Sequence, residues 1–106
     1  MEKLALVYTS RMKKNIRLCK KRGYDLTKLD DVTTLLLNRQ PLSPIYKDHE
    51  LEGEWANHRE LHIQGDWLLI YQIFEKELIL KECRTGTHSD LFESVIREAK
   101  SEYITE

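Results

Sequence analysis

Eight residues, Trp67 to Phe74 (WLLIYQIF), constrain this chain more than any others. The run is apolar at nearly every position, so it reads as a central strand buried on both faces. Its neighbours lie on either side in sequence. Before it, HRELHI (58–63) alternates, so that His58, Glu60 and His62 share one face and Arg59, Leu61 and Ile63 the other. Gln64, Gly65 and Asp66 form the turn signal between the two runs. After it, Glu75 and Lys76 turn into ELILKECR, a third strand that Thr85, Gly86 and Thr87 break. A three-stranded antiparallel meander follows.

The N-terminal half reads as cover for that sheet. KLALVYT (3–9) has strand composition and is placed at the sheet edge. Thr9 or Ser10 can cap a helix over 11–22, where Met12, Ile16 and Cys19 recur at helical spacing with Leu18 at the margin; Gly23 ends it. Asp25 or Thr27 can cap a second helix over 26–39, with Leu26, Leu29, Val32 and Leu36, joined by Leu35 or Leu37, as its apolar stripe. So short a connection predicts an antiparallel helical hairpin packed on the sheet. Pro41 and Pro44 then forbid helix, and residues 40–55 read as an extended loop turning at Gly53. HSDLFESVIREAKSEYI regains helical spacing at Leu91, Val95 and Ala99. The expectation is an α+β fold of order β-α-α-β-β-β-α. It forms one domain over 1–106, since two cores do not fit, with 93–106 as a helical extension.

Charge narrows the partners. The net −1 hides an uneven distribution: residues 11–22 hold Arg11, Lys13, Lys14, Arg17, Lys20, Lys21 and Arg22 and no acid. Asp48, Glu50, Glu52, Glu54 and Glu60 crowd 48–60 against Arg59 alone. Overall balance argues against non-specific nucleic-acid binding, whereas the basic cluster suits a directed contact with a polyanion. The plainer alternative is a solvated amphipathic helix. Composition, 41% hydrophobic and 33% charged, fits a soluble globular chain, and no apolar run approaches a membrane span. With no signal-peptide pattern, a cytoplasmic protein with Cys19 and Cys83 reduced is expected.

All four histidines (His49, His58, His62, His88) fall between Tyr46 and Phe92, together with Asp66 and Arg84. Histidines, an acid and an arginine in sheet-like sequence suggest acid–base chemistry on a phosphate ester. Cleaving RNA without a metal needs a base for the 2′-hydroxyl and an acid for the leaving 5′-oxygen, and imidazole suits both. An arginine fork fits phosphoryl oxygens, and an aromatic face can stack a base.

The residues Tyr46-Lys47-Asp48-His49, Gly53, Trp55, Arg59, His62, Asp66-Trp67, Ile70-Tyr71, Arg84-Thr85-Gly86-Thr87-His88 and Leu91-Phe92 resemble the pattern of YafQ-type toxins in the RelE/ParE superfamily. The likeness covers about residues 8–92. It implies a RelE/ParE-like fold and a ribosome-dependent mRNA endonuclease, the toxin of a type II toxin–antitoxin pair. Cleavage by 2′-hydroxyl attack, with no metal or other cofactor, is implied too. Matched position by position, His49, His62 and Asp66 surround the attacking hydroxyl, with His49 as base helped by Asp66. His88 is the general acid, Arg84 the phosphate clamp and Phe92 the aromatic that steadies the mRNA base. Trp67 supports the wall of the site or touches RNA. Lys47 contacts RNA, and Lys13, Lys14, Arg17, Lys20 and Lys21 grip ribosomal RNA. The implied partners are a cognate protein antitoxin, the ribosome and mRNA, with DNA reached only through the antitoxin and no membrane.

Alternatives stand beside these roles. His58 has no counterpart in the pattern and reads as structural. Asp66 can merely cap the hairpin turn, Arg84 can pair with a glutamate, and Trp55 reads as packing. His58-x3-His62 has zinc-ligand spacing only on a helix, and the alternation here predicts a strand. Two rival functions remain: a ParE-like toxin that binds gyrase and cuts no RNA, and a non-catalytic interaction module. The fourteen residues after Phe92 depart from the family pattern.

Overall fold

The computed structural model describes residues 2–93. The chain runs β1 (Ala5–Tyr8), α1 (Ser10–Lys21), α2 (Leu26–Leu37), β2 (His49–Glu50), β3 (Arg59–Gln64), β4 (Trp67–Phe74) and β5 (Ile79–Gly86). Short helical turns at Pro44–Tyr46, Gly53–Trp55 and Ser89–Glu93 punctuate the second half. The expected C-terminal helix is met only by the last of these turns, a single π turn; residues 94–106 lie outside the described residues.

The sheet order is β1-β5-β4-β3-β2, which puts the apolar run of β4 in the middle. Trp67, Leu68, Leu69, Ile70 and Tyr71 are all buried, as a strand covered on both faces requires. The β3-β4-β5 meander is antiparallel. The whole sheet is mixed rather than antiparallel, because β1 pairs with β5 in parallel, Ala5 opposite Ile79. No hairpin joins those two strands, so nothing in the connection dictates an antiparallel pair.

Local signals explain the helical hairpin. The Thr9 hydroxyl accepts the Met12 N–H at 2.9 Å and caps α1, and an Asp25 carboxylate oxygen accepts the Thr27 N–H at 3.1 Å and caps α2. Gly23, at φ +81, turns the chain out of α1 in a left-handed conformation that suits glycine. Met12 and Cys19 of α1, and Leu29, Val32, Thr33 and Leu36 of α2, are buried. They pack on Leu61, Trp67, Leu69, Tyr71 and Leu80 of the sheet. A second cluster, Leu68, Ile70, Cys83 and Leu91, with Leu51, Trp55 and Phe92 against it, forms on the opposite face. Both cysteines are buried and free.

The loop over 40–55 is more ordered than its prolines suggest. Ser43 caps a single turn beginning at Pro44, and Lys47 then takes a left-handed φ of 50. From there His49 and Glu50 add a two-residue edge strand, His49 opposite Glu60. Asp48 anchors the segment: it accepts from Arg59 Nε and Nη2 at 3.1 and 2.8 Å and from the Tyr71 hydroxyl. Burial, aided by the Asp48 carboxylate, holds the Tyr71 phenol well above its ordinary pKa. Sequence periodicity cannot register such a strand, since tertiary partners set it.

Candidate active site

The helices cover one face of the sheet; the candidate site occupies the other. In β3, Leu61 and Ile63 point to the helices, so the alternation sends Glu60 and His62 to the opposite side with Leu68 and Ile70. His62 and His88 have ring centroids 5.9 Å apart, and His88 and Phe92 5.8 Å apart. Glu60, 3% exposed, has Oε1 3.7 Å from His62 Nε2 and 3.9 Å from His49 Nε2. The result is a row, Phe92, His88, His62, Glu60 and His49, running across three elements.

Each imidazole is held through Nδ1, and the holders differ. His49 Nδ1 lies 2.7 Å from the Lys47 carbonyl oxygen and His62 Nδ1 3.2 Å from that of Gly65. A carbonyl only accepts, so both Nδ1 atoms carry hydrogens and both Nε2 atoms keep a lone pair when the ring is neutral. His88 Nδ1 instead meets an Asp66 carboxylate oxygen, which also accepts the His88 backbone N–H at 3.3 Å. Those bonds from His88 hold the Asp66 carboxyl below the ordinary carboxylate range. Asp66 therefore serves His88, not His49 as the sequence reading had it. The β3-β4 turn places Asp66 beside the end of β5, and that proximity decides the pairing.

The turn carrying His88 and Phe92 is tied to α1. Arg22 Nη1 and Nη2 donate to the two oxygens of Asp90 at 2.5 and 3.0 Å. Asp90 also accepts the Thr87 N–H at 2.9 Å, and with Arg22 as the main cause its carboxyl is pulled down to about 2. Gly86 lets the chain pass close to this carboxylate. A Cβ there sits 2.9 Å from Asp90 Oδ2, and its φ of +153 disfavours side chains.

Arg84 is brought to this face by a bulge. Ile70 pairs with Arg84 and Tyr71 with Glu82, so Cys83 is the extra residue. Cys83 and Arg84 then line one pocket with Trp55, His58 and Arg11. Arg84 is only 7% exposed, and its Nε donates to Asn15 Oδ1 at 2.9 Å; the same oxygen accepts the Thr85 N–H at 3.1 Å. The expected phosphate clamp is thus a buried cation whose Nε is held by Asn15 of α1. His58 bonds through Nδ1 to the Ala56 carbonyl at 3.0 Å and meets Trp55 edge-on, a packed residue as expected.

Trp67 is a correction. It is buried on the helix side, packs against Tyr24 and donates its indole N–H to Thr85 Oγ1 at 2.8 Å. That leaves no ring face for a base, so its contact with RNA is withdrawn and its place is in the core. Lys13, Lys14, Arg17, Lys20 and Lys21 are exposed along α1, and Lys47 is exposed beside β2. The sequence reading missed Asp48, Tyr71, Asn15, Arg22 and Asp90 as organisers of the site. It also left Glu60 without a role, although the alternation of β3 already placed it on the histidine face.

Residues 4–93 match the family described as bacterial toxin of type II toxin-antitoxin system, YafQ. The mRNA interferase toxin YafQ of Escherichia coli K12 is 43% identical over 86 residues, 80% of this chain and 91% of that protein. Among solved structures, the E. coli DinJ–YafQ toxin–antitoxin complex matches with a TM-score of 0.77 at 40% identity, over 85% of this chain and 98% of that one. A metal-bound toxin from Helicobacter pylori matches with a TM-score of 0.79 at 40% identity, over 84% and 99%. Among the described residues, no group of three or more His, Cys, Asp or Glu side chains is arranged to hold a metal ion.

Two helices on one face of a mixed sheet, the architecture that the chain shares with these solved toxins, place it among the small toxins of type II toxin–antitoxin systems. Within that class, the chain belongs to the YafQ family of type II toxin–antitoxin toxins.

Proposed function

We propose that this chain is an mRNA interferase that cuts messenger RNA on the ribosome by 2′-hydroxyl attack, with its own side chains supplying both proton transfers. The observation that carries the reading is the difference in what holds the three Nδ1 atoms. His49 and His62, held by neutral carbonyls, keep Nε2 lone pairs and are suited to accept a proton. His88, held by a carboxylate, is suited to carry the positive charge of an acid.

The 2′-hydroxyl proton passes to Nε2 of His49 or His62 as the O2′–P bond forms. The P–O5′ bond breaks, and His88 gives its Nε2 proton to the leaving oxygen. The products are a 2′,3′-cyclic phosphate and a 5′-hydroxyl. Arg84 supplies positive charge behind the phosphate, and Phe92, half-buried beside His88, offers a face to the mRNA base. The cations of α1 contact ribosomal RNA. The toxin acts in the cytoplasm and is held inactive by a cognate protein antitoxin.

The test is inducible expression in bacteria of wild type, His88→Ala and His62→Ala, with mRNA 5′ ends mapped. Growth arrest with in-frame cuts is expected. His88→Ala should slow cutting roughly 10²–10⁴-fold, the usual worth of a placed acid. Arrest that survives both substitutions with intact mRNA points to gyrase instead.

A further inference from the structure

Glu60 has no part in the mechanism above, yet it is the most buried acid on the histidine face. Its side chain is 4% exposed, and its strand neighbours across β3 are His49 on one side and Ile70 on the other. A buried carboxylate pays heavily in lost hydration unless opposite charge stands near. The two groups placed to provide it are imidazoles, with Nε2 atoms 3.9 Å (His49) and 3.7 Å (His62) from the same oxygen, Oε1. Both are longer than a hydrogen bond.

With Nδ1–H of each ring given to a backbone carbonyl, neither Nε2 carries a hydrogen for Oε1 while its ring is neutral. A ring that takes the substrate's proton becomes a cation whose Nε2 lies 3.9 Å (His49) or 3.7 Å (His62) from the Glu60 carboxylate, an attraction that the neutral ring lacks. An interaction that appears only as charge develops lowers a barrier instead of merely tightening binding. We propose that Glu60 is the shared counter-ion of His49 and His62, a positioning residue that stabilises whichever of the two accepts the 2′-hydroxyl proton. The role rests on the mRNA-cleaving reading and adds to it: the base side of the site is a carboxylate with two imidazoles, while Asp66 serves the acid alone.

The experiment measures single-turnover cleavage of a ribosome-bound message by the full chain at saturating toxin, with the half-saturating concentration followed separately. Glu60→Gln and Glu60→Met, each near the native volume and uncharged, run side by side so that a fold lost in one leaves the other. Expected is a loss of about 10- to 100-fold in the saturated rate with half-saturation unchanged. Glu60→Asp should recover part of it. Introduced into a His49→Ala/His62→Ala background, Glu60→Gln should cost nothing further, since its partners are gone. Full rate in Glu60→Gln, or an equal further loss in the double-alanine background, overturns the role and leaves the nuclease reading standing. A wild-type chain that cuts nothing on the ribosome sinks both.

Discussion

At the scale of single residues, the oxygen that holds a ring nitrogen does as much as the ring itself. Asp66→Asn keeps the shape of the contact to His88 and removes the charge. Its saturated cleavage rate is expected to fall at least tenfold with ribosome binding intact, read from single-turnover kinetics. A second residue acts on stability. Glu82, fully buried beneath the helices, accepts a 2.6 Å bond from Thr33 Oγ1. Burial pushes its carboxyl up to about 7 against an ordinary 4.5; the Thr33 bond opposes the shift and nearby Asp30 adds to it. A carboxyl raised on folding binds its proton more tightly in the folded state. Its contribution is complete below about pH 4.5 and is lost as pH rises through about 7. The loss reaches about 3 kcal/mol, a sizeable part of a small domain's stability. Urea midpoints should therefore fall between pH 5 and pH 8.5, and Glu82→Gln should flatten that slope.

At the scale of elements, the π turn Ser89–Glu93 depends on α1 for its position. Gly86→Ala drives a methyl into Asp90 and strains the backbone. A stability loss of about 1–3 kcal/mol is expected from thermal melts, with a larger proportional loss of cleavage because His88 moves with the turn. Much of this level was readable beforehand. Thr9 and Asp25 announced their helices, β4 announced its central place, and Gly23 announced a stop, because caps, burial and left-handed turns are local physics. What stayed hidden depends on contacts distant in sequence. The bulge that aims Arg84 arises from pairing with β4, and β2 exists because Asp48 meets Arg59 and Tyr71. Alternation told that Glu60 and His62 share a face, but not which side the helices take; that choice buried Trp67 and opened His62.

At the scale of the molecule, the basic patch and the histidine row belong to different layers. Helix α1 displays its cations outward, while the histidine row lies across the sheet. Replacing Lys13, Lys14, Arg17, Lys20 and Lys21 with alanine should weaken ribosome binding and lower its salt slope by roughly 0.7 to 0.9 per lost phosphate contact. Binding titrations at several ionic strengths check this, and the saturated cleavage rate should hold. The basic patch was legible as a patch, since charge runs survive without tertiary information. Its separation from the histidines was not, because a helix and a strand distant in sequence acquire their relative sides only through packing.

His88, the acid of the proposed reading, comes late in the chain. His88 with its Asp66 partner and the Arg22–Asp90 tie are completed only by the last residues of β5 and the turn that follows. In the proposed reading, a chain made only as far as β4 carries the base side without its proton donor. Cutting in that reading therefore waits on the last segment of the described fold. Chains stopped at Leu80 should arrest no growth and leave every message whole.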